Sequence, residues 1–98
     1  MPERITTFER LKEWNENPTE ELPIVYEWFL DWFFEQLVEG NIDLVREANE
    51  VHIKFCMICN NFNRSQAIER VNTNMNYYAG YSQKWRELLN EHKILTHV

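Results

Sequence analysis

The segment PIVYEWFLDWFFEQLVEG, Pro23 to Gly40, decides the fold. Eleven of the fifteen residues from Ile24 to Val38 are apolar and point in nearly every direction around a helical axis, the pattern of a helix contacted on several sides. A Pro in the first turn loses no needed donor, and a Gly at the far end accepts the left-handed conformation that stops a helix. The segment therefore reads as a helix that begins near Glu21 or Leu22 and ends at Glu39, either the central element of the fold or one that covers a partner. Glu27, Asp31 and Glu35 interrupt the apolar run, so no stretch of about 18 uncharged apolar residues exists and no membrane partner is expected.

The flanking sequence is also helical in pattern. Upstream, Thr6 stands three residues before Glu9, the spacing of a reciprocal cap, and a short helix from about Thr7 to Asn15 places Phe8, Leu11 and Trp14 or Asn15 on one side. Asn17-Pro18 ends it, because Pro removes a donor and pushes its predecessor out of helical geometry. Downstream, Asn41 is a good N-cap for a helix running to about Asn61, with Asp43 near the positive end of its dipole. Leu44, Ala48, Val51, Phe55, Ile58 and Phe62 form its apolar seam.

NNFNRS then breaks the chain, and Ser65 can cap a fourth helix with apolar positions Ile68, Val71, Met75, Tyr78, Trp85 and Leu88 or Leu89. The run Asn72 to Asn76 is rich in poor helix formers, and Gly80 adds a penalty of about 1 kcal/mol relative to Ala. This helix is either continuous or divided into 65 to 72 and 77 to 92, and ILTHV at the end is a docked or frayed tail. Short turns fold helices back as antiparallel neighbours. The expected class is all-α: one domain over residues 1 to 98, a compact bundle of three long helices plus a short N-terminal one, with a break near Asn72 to Asn76 left open.

Composition narrows the function classes. With 98 residues, 44% hydrophobic and fourteen aromatic, the chain has the material for one core, and disorder along its whole length is excluded. Cys56 and Cys59 lie too close in sequence to be a disulfide framework. MPERITTFER carries charge where a signal peptide needs an apolar run, so a cytoplasmic, intracellular location is expected. The net charge of -6 is uneven: residues 1 to 62 hold 13 acidic and 5 basic side chains, and residues 63 to 98 hold 3 acidic and 5 basic. The first part repels nucleic acid, and the second tolerates it.

Several groupings bear on chemistry. Cys56-x-x-Cys59 with His92 and His97 is a zinc set on paper, and His52, Cys56 and Cys59 share one helical face. The CxxC lies mid-helix among Phe55, Met57 and Ile58, however, so the thiols read as small core hydrophobes and no metal is expected. The stripe Glu27, Asp31 and Glu35 costs a few tenths of a kcal/mol per like-charge pair. It forms a solvated edge, pairs with Arg46, Lys84 or Arg86, or holds Mg²⁺.

Glu47-x-x-Glu50 followed by Glu69-x-x-Asn72 resembles, at four positions, the E-x-x-E and E-x-x-D pairs that hold Mg²⁺ in all-helical nucleoside triphosphate pyrophosphohydrolases of the MazG and dimeric dUTPase type. Asn72 replaces the Asp of that pattern, and Glu47 and Glu50 read as solvent-facing, so membership of the family is not assigned. The chain has no glycine elbow for a nucleophile and no phosphate-cradling loop.

The expectation is a non-catalytic protein-protein interaction module without cofactor, self-associating as a homodimer or other homo-oligomer. It binds another protein through Tyr26, Trp28, Phe29, Trp32 and Phe33 with the carboxylates Glu27, Asp31 and Glu35. Small size and a high Asn count are compatible with a viral or phage accessory protein that modulates or inhibits its partner. The alternatives are a DNA-binding regulator using residues 65 to 92, with Tyr77, Tyr81, Gln83, Lys84 and Arg86 on its second helix, and a Mg²⁺-dependent nucleotide pyrophosphohydrolase.

Overall fold

Side-chain chemistry at the helix ends sets most element boundaries. A computed structural model describes residues 1 to 94 and contains five helices in that range: α1 (Phe8–Glu16), α2 (Trp28–Glu39), α3 (Ile42–Asn60), α4 (Arg64–Ala79) and α5 (Gln83–Glu91). The Thr7 side chain, rather than Thr6, caps α1 by accepting the Arg10 N–H. The reciprocal cap occurs at α4, where Asn63 accepts from the Gln66 backbone and the Gln66 side chain accepts from the Asn63 N–H. Asn63, not Ser65, therefore starts that helix. Gly40 sits at φ 84 after α2, in the left-handed region that glycine tolerates.

The chain is all-helical and bundle-like, with a short N-terminal helix, but α3 rather than α2 is central: it packs against α1, α2 and α4, while α2 packs against α3 and α5. Val45, Ala48, Ile53 and Cys56 of α3 are buried. Of the expected seam only Ala48 is fully buried; Leu44, Val51, Phe55, Ile58 and Phe62 are half-buried flanks. The rotation follows from having neighbours on three sides, which bury a wider arc than one seam.

Helix α2 starts later than its apolar pattern suggests. Ile24 is bridged rather than helical: the Ile5 N–H donates to the Ile24 carbonyl at 3.0 Å and the Ile24 N–H donates to the Glu3 carbonyl at 2.8 Å, making an isolated parallel bridge between Arg4 and Ile24, and helical dihedrals begin only at Glu27. Trp28 locks the pairing by donating from Nε1 to the Ile5 carbonyl at 2.8 Å. Pro23 thus precedes a bridged residue and does not open a helix.

The last segment breaks at Gly80 to Ser82, not at Asn72 to Asn76. Val71 just before that Asn-rich run and Met75 within it are fully buried, and each such burial, about 1.5–3 kcal/mol, outweighs propensity losses of about 0.7 kcal/mol or less per residue. The Thr73 hydroxyl donates back to the Glu69 carbonyl, so it too is satisfied in the helix. Beyond Ala79 the buried stripe Ala67, Val71, Met75, Ala79 would continue through Gln83 and Glu87, which are exposed. Interrupting the helix re-phases the chain, and the Ser82 side chain caps a new helix that buries Leu89 and half-buries Trp85 and Leu88. The end of the described chain docks on α3: Asn49 donates to the Ile94 carbonyl, Arg46 donates to the His92 carbonyl, and Ile94 is buried.

Phe33 is 0% exposed and Tyr26 55%. Phe33→Ala is expected to cost about 3–5 kcal/mol in urea denaturation and Tyr26→Ala to stay within about 0.5 kcal/mol.

Candidate aromatic and acidic interface

The residues singled out from 26 to 35 separate into inside and outside. Phe29 and Phe33 are core residues, 4% and 0% exposed, and cannot present themselves to a partner in this fold. Trp28 is half-buried and tied to Ile5; Trp32 is half-buried and stacks on Phe8 with ring centroids 4.8 Å apart. Tyr26, Glu27, Asp31 and Glu35 are exposed. Of fourteen aromatic residues, eleven are buried or half-buried, and the three exposed ones are all tyrosines: Tyr26, Tyr77 and Tyr81.

Two of those tyrosines join the acidic edge of α2. The Tyr78 hydroxyl donates to Asp31 Oδ1, bringing α4 against α2 at this edge. Tyr78 stacks on Trp85 with centroids 5.5 Å apart, and both stack on Phe34. Tyr77 and Tyr81 stand outside this stack, edge to face with one another at 6.2 Å. A hydrogen bond and charge interaction with Tyr77 raise the Tyr81 pKa, with Glu27 the least of the contributors, and its phenol stays protonated. Tyr77, Tyr78, Tyr81, Trp85 and Glu27 together line a cleft of about 380 Å³. The DNA-binding alternative places Tyr77 and Tyr81 on the second helix of its pair; Tyr77 lies instead in the last turn of α4 and Tyr81 in the loop before α5. The signal was present as the short repeat of Tyr at 77, 78 and 81 next to Gly80.

Glu27 also lines a second cleft, of about 190 Å³, with Tyr26, Val25, Phe29, Leu30 and Phe55. His52 reaches this cleft, edge to face with Phe29 at 5.1 Å, and its Nδ1 is buried without a hydrogen-bond partner. Burial lowers its pKa to about 4, so the ring is neutral at physiological pH.

The carboxylate stripe has no cation among the described residues. The ion pairs there engage Glu3, Glu13, Glu21, Glu47 and Glu50, and none involves Glu27, Asp31 or Glu35. Arg46, Lys84 and Arg86 do not neutralise it. Glu47 instead meets Lys12 at 3.0 Å, and Glu50 meets Arg64 at 2.9 Å, so both carboxylates of the Glu47-x-x-Glu50 pattern are held by cations. Among the described residues no three His, Cys, Asp or Glu side chains gather as a ligand set. Burial raises the pKa of Cys56, and of Cys59 to about 11, which keeps both as unreactive thiols at neutral pH; His97 lies outside the described residues.

The lowered pKa of His52 has a consequence for stability. In the unfolded chain the ring titrates near its ordinary 6.5 and in the fold near 4, so between these values the unfolded state binds more protons. Stability is full above about pH 6.5 and falls as pH drops toward 4. Urea denaturation is expected to give about 2 kcal/mol less at pH 5 than at pH 7.5, and His52→Leu to remove most of that difference. Comparison with known proteins supplies no relative: no family model matches the chain, and neither does any curated protein or solved structure.

Proposed function

We propose that the chain is a non-catalytic protein-binding module whose contact surface is the edge shared by α2 and α4. The observation that carries this reading is the meeting at Glu27 of two clefts, one apolar and one aromatic, beside the exposed Tyr26, Tyr77 and Tyr81. Tyrosine gives large contact area at low entropic cost and is enriched in interface cores. Unpaired carboxylates on the same edge favour a partner with positive charge there and speed its approach at low salt. An accessory protein of this kind acts by covering a basic surface of its target, which includes inhibition where that surface serves nucleic acid. Self-association through α2 finds less support, because most rings of that helix are engaged inside the fold.

One observation favours a second reading, DNA binding: α4 and α5 are joined by only three residues, and Lys84 and Arg86 are exposed on α5. A gel shift that depends on Lys84 and Arg86 and weakens steeply with salt would favour it.

The test is parallel affinity capture from extracts of the source organism, using wild-type bait and a bait carrying Glu27→Gln, Asp31→Asn, Tyr77→Ala and Tyr81→Ala. A partner held by wild type and lost by the variant, with affinity falling about ten-fold or more as salt rises from 50 to 500 mM, is expected. Identical retention on both baits overturns the proposed surface.

A further inference from the structure

The cleft lined by Tyr77, Tyr78, Tyr81, Trp85 and Glu27 has a chemistry more specific than an interaction surface needs. Its rings stand in two orientations. Tyr78 and Trp85 are parallel, 4° apart, whereas Tyr81 stands at 70° to Tyr78 and 89° to Tyr77. An aromatic ring carries negative potential on its faces and positive potential at its edge, and rings that line one cleft at 70° and 89° to one another do not share a single plane. The charged residue lining the cleft is a carboxylate, and no Lys or Arg lines it. Asp31 adds a second carboxylate behind Tyr78. Such a space suits a cation.

Shape and hydration select among cations. A guanidinium is flat and stacks best on a single ring plane, and a lysine ammonium is strongly hydrated and needs acceptors for three N–H donors. A quaternary ammonium is rounded, has no donors to satisfy, and meets several ring faces at once. The neighbouring apolar cleft bears on its source. Because Glu27 lines both, an extended segment passing Glu27 seats an apolar side chain among Val25, Phe29 and Leu30 and a cationic one among the tyrosines.

The geometry points to a quaternary-ammonium site that takes a trimethylated lysine side chain of the protein partner. This inference rests on the interaction reading above and names the chemistry of the contact.

The test is an NMR titration with four probes: a short peptide with trimethyl-lysine beside leucine, its unmethylated form, the same peptide with an uncharged tert-butyl carbon isostere, and choline. The trimethyl-lysine peptide is expected to shift the ring signals of Tyr77, Tyr81 and Trp85 and to bind about ten-fold tighter than each of the other three. Tyr77→Leu with Tyr81→Leu alters two exposed rings, 73% and 74% accessible, and should abolish those shifts while core signals stay in place; Tyr77→Phe with Tyr81→Phe should retain them. Equal binding of the isostere overturns the role of charge, equal binding of the unmethylated peptide overturns methyl recognition, and equal binding of choline overturns a peptide source. No shift of the ring signals overturns the site itself. None of these outcomes alters what the capture experiment reads, so failure of the cation site and failure of the interaction surface remain distinguishable.

Discussion

The stack of Phe34, Tyr78 and Trp85 holds the meeting point of α2, α4 and α5 together. Three rings from three helices lie within 16° of parallel, with centroids between 4.6 and 5.6 Å apart. Phe34 is fully buried, so α2 anchors the stack in the core, while Tyr78 and Trp85 carry it outward to the surface. Each such contact contributes about 0.5–1.5 kcal/mol beyond the area it buries. The position of α5 depends on it, because that helix buries only Leu89 completely and reaches the rest of the fold through Trp85, Leu88 and the docked turn at Ile94. The aromatic cleft is the outer face of the same stack, so the chemistry of the surface and the seating of the last helix share one set of rings.

The helical class was legible because caps and periodicity act locally. Asn41 and Asn61 bound α3 to within a residue of where the sequence placed them, and Asn17 and Gly40 end α1 and α2 as their chemistry dictates. Errors arose where a distant contact decided the outcome. The helix does not begin near Leu22 because Ile24 pairs with Glu3 and Ile5, some twenty residues away, and a single bridge leaves no period in the sequence. The helix runs through Asn72 to Asn76 because Val71 and Met75 are buried by neighbours that propensity does not know about. Gly80, treated as a secondary weakness, is where the chain turns, since the buried stripe ends there and Ser82 supplies a new cap.

The site was half legible for a related reason. The carboxylates Glu27, Asp31 and Glu35 lie on one edge, as their spacing requires, and that edge faces out. In a helix that is apolar nearly all round, periodicity cannot say which rings turn inward, and the structure places Phe29 and Phe33 in the core while leaving Tyr26 outside. The remaining surface rings come from α4 and the loop after it, a juxtaposition made by the Tyr78 to Asp31 hydrogen bond across 47 residues of sequence.

Asymmetric charge gives this edge its meaning. Five of the thirteen acidic residues in the first part of the chain are in ion pairs, among them Glu3 with Arg10, Glu47 with Lys12 and Glu50 with Arg64. The α2 stripe is not, and it sits beside tyrosines contributed by the mildly basic second part. Like charges at i and i+4 cost a few tenths of a kcal/mol per pair, a loss that a Lys at Glu35 would turn into a gain, whereas Asp31 is also needed to accept the Tyr78 hydroxyl. On the proposed reading, the field left at Glu27 and Glu35 serves to attract a cation from a partner. That reading gives the penalty and the exposed tyrosines one explanation in common, a positively charged group presented from outside the chain.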